Sequence, residues 1–187
     1  LSDVTSHLAT KARVTKVAAT QASAKVSPAL ISEFRPNPPG VDPAILRVEI
    51  SGTPNVQFPS CLFTVDADPP GELGRVDSVI AVSGSFDANG LLVVEVPAFE
   101  TPSFIMFLSA ACPDEDQSIV DDAAGVAARA AFFYDSIGVA DSTADEANLQ
   151  AIRDALTAQN PPGGLPGTDL QFFNGNFEEE TDPQLVF

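Results

Sequence analysis

The string Asp66-Ala67-Asp68-Pro69-Pro70-Gly71, with Asp77 at the twelfth position, is the strongest metal-like pattern in this chain. Calcium needs several oxygen ligands around a sharp turn, so carboxylates at the first and third positions and glycine at the sixth resemble a calcium loop. Pro70 stands where the next ligand belongs, and the flanks read as strands rather than helices. A solvated β-turn is therefore the default reading, and calcium held by Asp66, Asp68 and Asp77 is the sharper alternative. Asp114-Glu115-Asp116 with Asp121-Asp122 forms a second oxygen-rich patch, whose default is a solvated acidic loop.

Other chemistry is sparse. His7 is the only histidine and lies far from the apolar segments, so a Ser-His-Asp or Cys-His arrangement would need the N-terminus to fold back. Zinc needs three or four clustered His, Cys or carboxylate ligands, and no such spacing occurs. The glycines near 163–167 lack the lysine and following helix of a phosphate loop. With 26 acidic residues some carboxylate pair falls at a catalytic separation by chance. The expectation is a protein that is not an enzyme, has no catalytic residue and carries no cofactor beyond the calcium alternative.

Cys61 and Cys112 are the only two cysteines, each at the edge of an apolar segment. They are either bridged or two buried thiols behaving as small hydrophobes. The even count and the strand-like flanks favour the bridge. Closing a loop of that size stabilises by about 4 kcal/mol in the entropic account. A bridge would indicate an oxidising space: the cell exterior, a periplasm or a thylakoid lumen.

The net charge of −17 over 187 residues is unevenly spread. Residues 1–27 hold Lys11, Arg13, Lys16 and Lys25 against Asp3 alone, so the remaining 160 residues carry the whole acidic excess. That opening stretch is poor in large apolar side chains and reads as a mobile basic arm. Its acid-poor, Ser- and Ala-rich composition also resembles organelle-targeting segments. Its four cations are the candidate partner-binding residues. An acidic body is a poor phosphate binder, so nucleic acid is not an expected partner. The longest apolar runs, near 103–111, are about half of the roughly 20 residues of a spanning helix, leaving only peripheral association with a membrane.

The segments that must position these groups read mainly as strands. Residues 29–35, 44–52 and 60–67 alternate or cluster apolar side chains between Pro- and Gly-rich breaks. Asn89-Gly90 suits the positive φ angles of a tight hairpin, which predicts that residues 79–82 and 91–96 pair antiparallel. Residues 104–110 are apolar at nearly every position, the pattern of a strand buried on both faces. Residues 123–131 suit a short helix, 132–139 a strand and 141–157 a surface helix, with late strands expected at 169–173 and 185–187. Phe132-Phe133 and Phe172-Phe173 place one ring on each face of a strand, for core packing or for docking. Short strands between Pro and Gly turns predict a mainly β fold: an immunoglobulin-like antiparallel sandwich at 28–187, with one or two short helices, behind the arm at 1–27.

Leu30-Ile31-Ser32-Glu33-Phe34, the Pro-Asn-Pro turn and Val48-Glu49-Ile50-Ser51-Gly52-Thr53-Pro54 resemble the opening strands of lamin-tail domains of bacterial and marine secreted proteins. The Phe86-Asp87-Ala88-Asn89-Gly90-Leu91, Tyr134-Asp135-Ser136-Ile137-Gly138-Val139 and Pro183-Gln184-Leu185-Val186-Phe187 segments are similar to parts of the same proteins. Lamin-tail domains commonly carry a Trp after the second strand; this chain has none, and Ser60-Cys61-Leu62-Phe63 stands there. The resemblance implies an immunoglobulin-like fold with an accessory or interaction role and no active site. Together these readings lead to an expected extracytoplasmic subunit, lumenal, secreted or on the cell surface, docking to protein partners through the arm and the acidic sandwich. The competing expectation is a calcium- or ligand-binding accessory module of a hydrolase such as a nuclease.

Overall fold

The computed structural model describes residues 29–34, 44–68, 73–97, 103–140, 143–161, 165 and 185–186. The basic arm and the strand expected at 169–173 lie outside these residues. Eight strands and two helices follow in the order β1 (Leu30–Phe34), β2 (Ile45–Ser51), β3 (Ser60–Asp66), β4 (Val76–Val82), β5 (Leu91–Pro97), β6 (Phe104–Ser109), α1 (Ile119–Ala130), β7 (Phe133–Val139), α2 (Thr143–Ala158) and β8 (Leu185–Val186).

The strands form two antiparallel four-stranded sheets, ordered β5-β2-β1-β8 and β4-β3-β6-β7. They pack as a β-sandwich. The inner face of the first sheet contributes Ile31, Phe34, Leu46, Val48, Ile50 and Val96, alternating along β2 and offset by a bulge in β1. Leu62, Phe104, Met106, Leu108 and Ile137 of the second sheet meet them, with Phe34 edge-on to Phe104 at 6.0 Å. The period of two read from β2 thus faces the core on one side and solvent on the other.

The second sheet is covered twice. Phe63, Val65, Ile105 and Phe107 point away from the first sheet into another apolar layer, roofed by Ile119, Val126 and Ala130 of α1 and Leu149, Ile152 and Leu156 of α2. Phe63 and Phe107 stack at 5.0 Å with Phe133 packed against both. All residues of β3 and β6 are therefore buried, as strands covered on both faces are.

One expected pairing is wrong. Residues 79–82 and 91–96 do not form a hairpin: β4 pairs with β3, whereas β5 pairs with β2 in the other sheet. Asn89-Gly90 does turn the chain, and Gly90 has φ 83°. The turn is closed locally by Asp87, whose Oδ1 accepts the N–H groups of Asn89 (2.7 Å) and Leu91 (2.9 Å). Residues 84–86 pair with 56–58 before the turn, and Phe86 drops into the core while the chain crosses between sheets. A side chain on Gly52 would run into the Phe86 ring, and one on Gly90 would strike the Gly52 carbonyl. Glycine is needed at both for this close crossing.

The acidic loop is shorter than expected. Helix α1 begins at Ile119, so Asp121 and Asp122 stand in its first turn, where negative charge meets the exposed N–H groups. The N-cap Ser118 Oγ accepts the Asp121 N–H at 3.1 Å. Asp122 leaves helical geometry, with φ −142° and ψ 55°, and its Oδ1 accepts the Gly125 N–H at 2.9 Å, capping the longer part of the helix. Only glycine at 125 leaves room for that carboxylate.

Candidate functional site

Asp66, Asp68 and Asp77 can be followed individually. Asp66 ends β3, where it is buried, and its Oδ1 accepts the Asp68 N–H at 2.7 Å. Its own N–H donates to the Arg75 carbonyl at 2.9 Å, and its carbonyl accepts the Gly74 N–H at 2.8 Å. Those bonds make Asp66 the corner between β3 and β4. Asp77 lies within β4, half-buried, with the Ser78 hydroxyl 3.4 Å from its Oδ2. Among the described residues no group of three or more His, Cys, Asp or Glu side chains is placed to hold a metal ion. Asp66, Asp68 and Asp77 are thus not brought together as one such group, and Asp66 is buried at the corner.

Asp145 joins that corner from another element. It is buried in the first turn of α2 and accepts the Ser103 hydroxyl at 3.0 Å. One turn later Asn148 Nδ2 donates to the Ala67 carbonyl at 3.0 Å. These bonds fasten α2 to the end of β3 and the start of β6, giving buried polar groups their partners. Asp145 stands in a helix the sequence predicts, but its approach to Ser103, 42 residues earlier, had no local signal. On the same helix, burial pulls the Arg153 guanidinium below its usual value, while neighbouring Asp154 opposes the shift.

Cys61 and Cys112 form a disulfide with Cα atoms 5.2 Å apart. Cys61 is on β3, and Cys112 follows β6 just before the loop into α1, so the bridge ties the second sheet to the approach of its helical roof. The acidic patch in that loop is partly neutralised. Asp116 pairs with Arg75, and Asp114 meets Arg129 at 2.8 Å, both exposed. Such surface pairs contribute about 0–1 kcal/mol each.

Asp135 links the two sheets. From β7 its Oδ2 accepts the Ile31 N–H of β1 at 2.8 Å, and its Oδ1 accepts the Ser136 N–H at 2.9 Å. β8 pairs with β1 only from Glu33 onward, so the carboxylate serves a donor beside that pairing. Burial raises its pKa above the usual value, against the lowering effect of both N–H donors. Exposed Asp87 is shifted the other way, chiefly by the Leu91 N–H.

The Phe132-Phe133 pair divides as its spacing predicts. Phe133 is buried under the helices, whereas Phe132 remains 37% exposed and packs edge-on to Tyr134 at 5.2 Å. Ala131 separates strand from helix at φ 62° and ψ −47°, with the Phe132 N–H bonded to the Ala130 carbonyl at 2.7 Å. This is a positive-φ γ-turn, an uncommon conformation for alanine. Phe172-Phe173 lies outside the described residues, as do Lys11, Arg13, Lys16 and Lys25.

The outer face of the first sheet carries several exposed side chains. Ile45, Arg47, Glu49 and Ser51 of β2 alternate with the buried Leu46, Val48 and Ile50. Across from them in register stand Pro97, Glu95, Val93 and Leu91 of β5. Leu30, Ile45 and Val93 are 45%, 56% and 55% exposed. Glu33 stands opposite Glu49, which accepts the Ser32 hydroxyl at 2.8 Å, and Arg47 meets Glu95 at 3.3 Å. The face is thus an apolar surface dotted with three carboxylates and one cation.

No family model, no curated protein and no solved structure matches this chain. The likeness to lamin-tail domains rests on the quoted segments alone. No helix among the described residues is long and apolar enough to cross a membrane.

Proposed function

We propose that this chain is a non-catalytic structural and interaction protein, an extracytoplasmic subunit of a larger assembly that docks through its basic arm and its acidic sandwich. The division of charge carries this reading: Lys11, Arg13, Lys16 and Lys25 stand against Asp3 alone in residues 1–27, and every other acidic residue lies beyond them. Opposite charges so segregated steer one surface onto another and select partners more than they stabilise a fold. The Cys61–Cys112 disulfide supports an oxidising compartment, lumenal or at the cell surface. The lamin-tail likeness, with its accessory role, agrees with the same reading.

Purifying the native chain under mild conditions tests it. A stable multiprotein complex is expected, and deletion of residues 1–27 should abolish incorporation while leaving the thermal midpoint nearly unchanged. Recovery of the chain as a lone monomer would reject the reading.

A further inference from the structure

We propose that the outer face of the first sheet receives the basic arm, residues 1–27, of a second copy of this chain. The inference rests on the assembly reading and names its partner. Sheets bury an apolar face against another layer, and among the described residues only the second sheet has such a cover on its outer face. The helices roof the second sheet, whereas Leu30, Ile45 and Val93 of the first stay exposed. Among the large hydrophobics exposed in the described residues, half lie on this one face.

Charge identifies the occupant. Glu33, Glu49 and Glu95 share the face with Arg47, and the two bodies of any pair of copies repel through their acidic excess. A ligand for this face must therefore bring cations together with apolar side chains. Lys11, Arg13 and Lys16 accompany Val14 and Val17 within residues 11–17 of the arm. The five cations after Lys25, Arg35, Arg47, Arg75, Arg129 and Arg153, stand singly, so no later stretch of the chain offers several cations together with apolar side chains. β2 and β5 are seven residues long, which at about 3.3 Å per residue matches an extended segment of the same length. The contact joins an arm to a face and so is heterologous, allowing copies to add in a ring or row.

Sedimentation velocity on the full chain, over roughly a hundredfold range of concentration, tests the proposal. The wild type should associate with rising concentration and dissociate as salt screens the contact. An arm variant (Lys11→Glu, Arg13→Glu, Lys16→Glu) and a face variant (Glu49→Lys, Glu95→Lys) reverse the charges that the contact would bring together. Each should weaken association about tenfold or more. Mixed in equal amounts they should form one-to-one dimers, because the unaltered arm of one meets the unaltered face of the other. A wild type that stays monomeric, association that neither variant weakens, or a mixture without dimers would each overturn the proposal. The last result is what an arm folded onto its own face produces. If the chain sediments alone yet is recovered natively with other proteins, this inference falls and the assembly reading stands.

Discussion

β2 and β6 are both inner strands of antiparallel sheets, yet β2 buries every second residue and β6 buries all six. The cause lies outside each strand. Sheet one faces the sandwich core on one side only, so Arg47 and Glu49 can occupy its other side. Sheet two lies between that core and two helices, so Ile105 and Phe107 fill the side that solvent would otherwise reach. The same backbone geometry therefore supports two roles: a closed layer that supplies stability, and an open layer whose outer residues are available for contact.

The sharpest break of this contrast is Phe107→Ala. The ring stacks on Phe63 at 5.0 Å and packs against Phe133 at 5.5 Å beneath the helices, with no exposure. Its removal leaves a cavity in a layer held from both sides, and urea unfolding should show a loss of about 3–5 kcal/mol. A loss below 1 kcal/mol would mean that the roof collapses readily onto the sheet, and the closed layer would not be the stable one. The disulfide comes next. Its cysteines are 51 positions apart, and the Cys61→Ala, Cys112→Ala double variant should lose about 2–4 kcal/mol by the same measurement, since measured losses commonly fall at or below the entropic value.

The join between the two layers gives a smaller, pH-dependent effect. Asp135→Ala leaves the Ile31 N–H without its acceptor and should cost about 1–3 kcal/mol. Asp135→Asn keeps an acceptor for only one of the two N–H groups, so its absolute stability matters less than its pH profile. Because burial raises the folded pKa of Asp135, the folded state binds more protons than the unfolded state between the two pKa values. Wild-type stability from this group is therefore full at low pH and declines as pH rises from the ordinary aspartate value through the raised one. Thermal midpoints measured from acid to neutral pH should show the Asn variant gaining on the wild type across that window. A constant difference would show that the carboxylate ionises in the sandwich as freely as in water.

Much of this contrast was legible from residue order. Leu46, Val48 and Ile50 alternating with Arg47 and Glu49 announced a half-open strand, and residues 104–110 announced a closed one. The two helices, on either side of the strand at 133–139, were expected in that order, although α1 begins at Ile119, earlier than the 123 expected. What could not be read was partner choice. Asn89-Gly90 specifies a turn within four residues, but whether its flanking strands pair depends on where Phe86 and Phe58 find burial, and those lie in other segments. Likewise the spacing of Asp66 and Asp68 carried no sign that the Asp66 carboxylate accepts the Asp68 N–H. Asp135 carried no signal at all, since its partner lies 104 residues away.

The smallest expected effect lies on the open layer. Replacing Ile45 and Val93 by Thr keeps the β-branched shape that a pleated strand favours while removing apolar surface that is already exposed. In dilute solution each change should alter stability by no more than about 0.5 kcal/mol, far below the Phe107 cavity. If the face receives the arm of a second copy, binding adds to folded-state stability by mass action, and the cost of the double variant should grow with protein concentration. Urea midpoints taken at low and high concentration therefore separate two cases that a single measurement would merge. A large cost at every concentration would mean that the face is covered within one chain, and the two sheets would then differ only in what covers them.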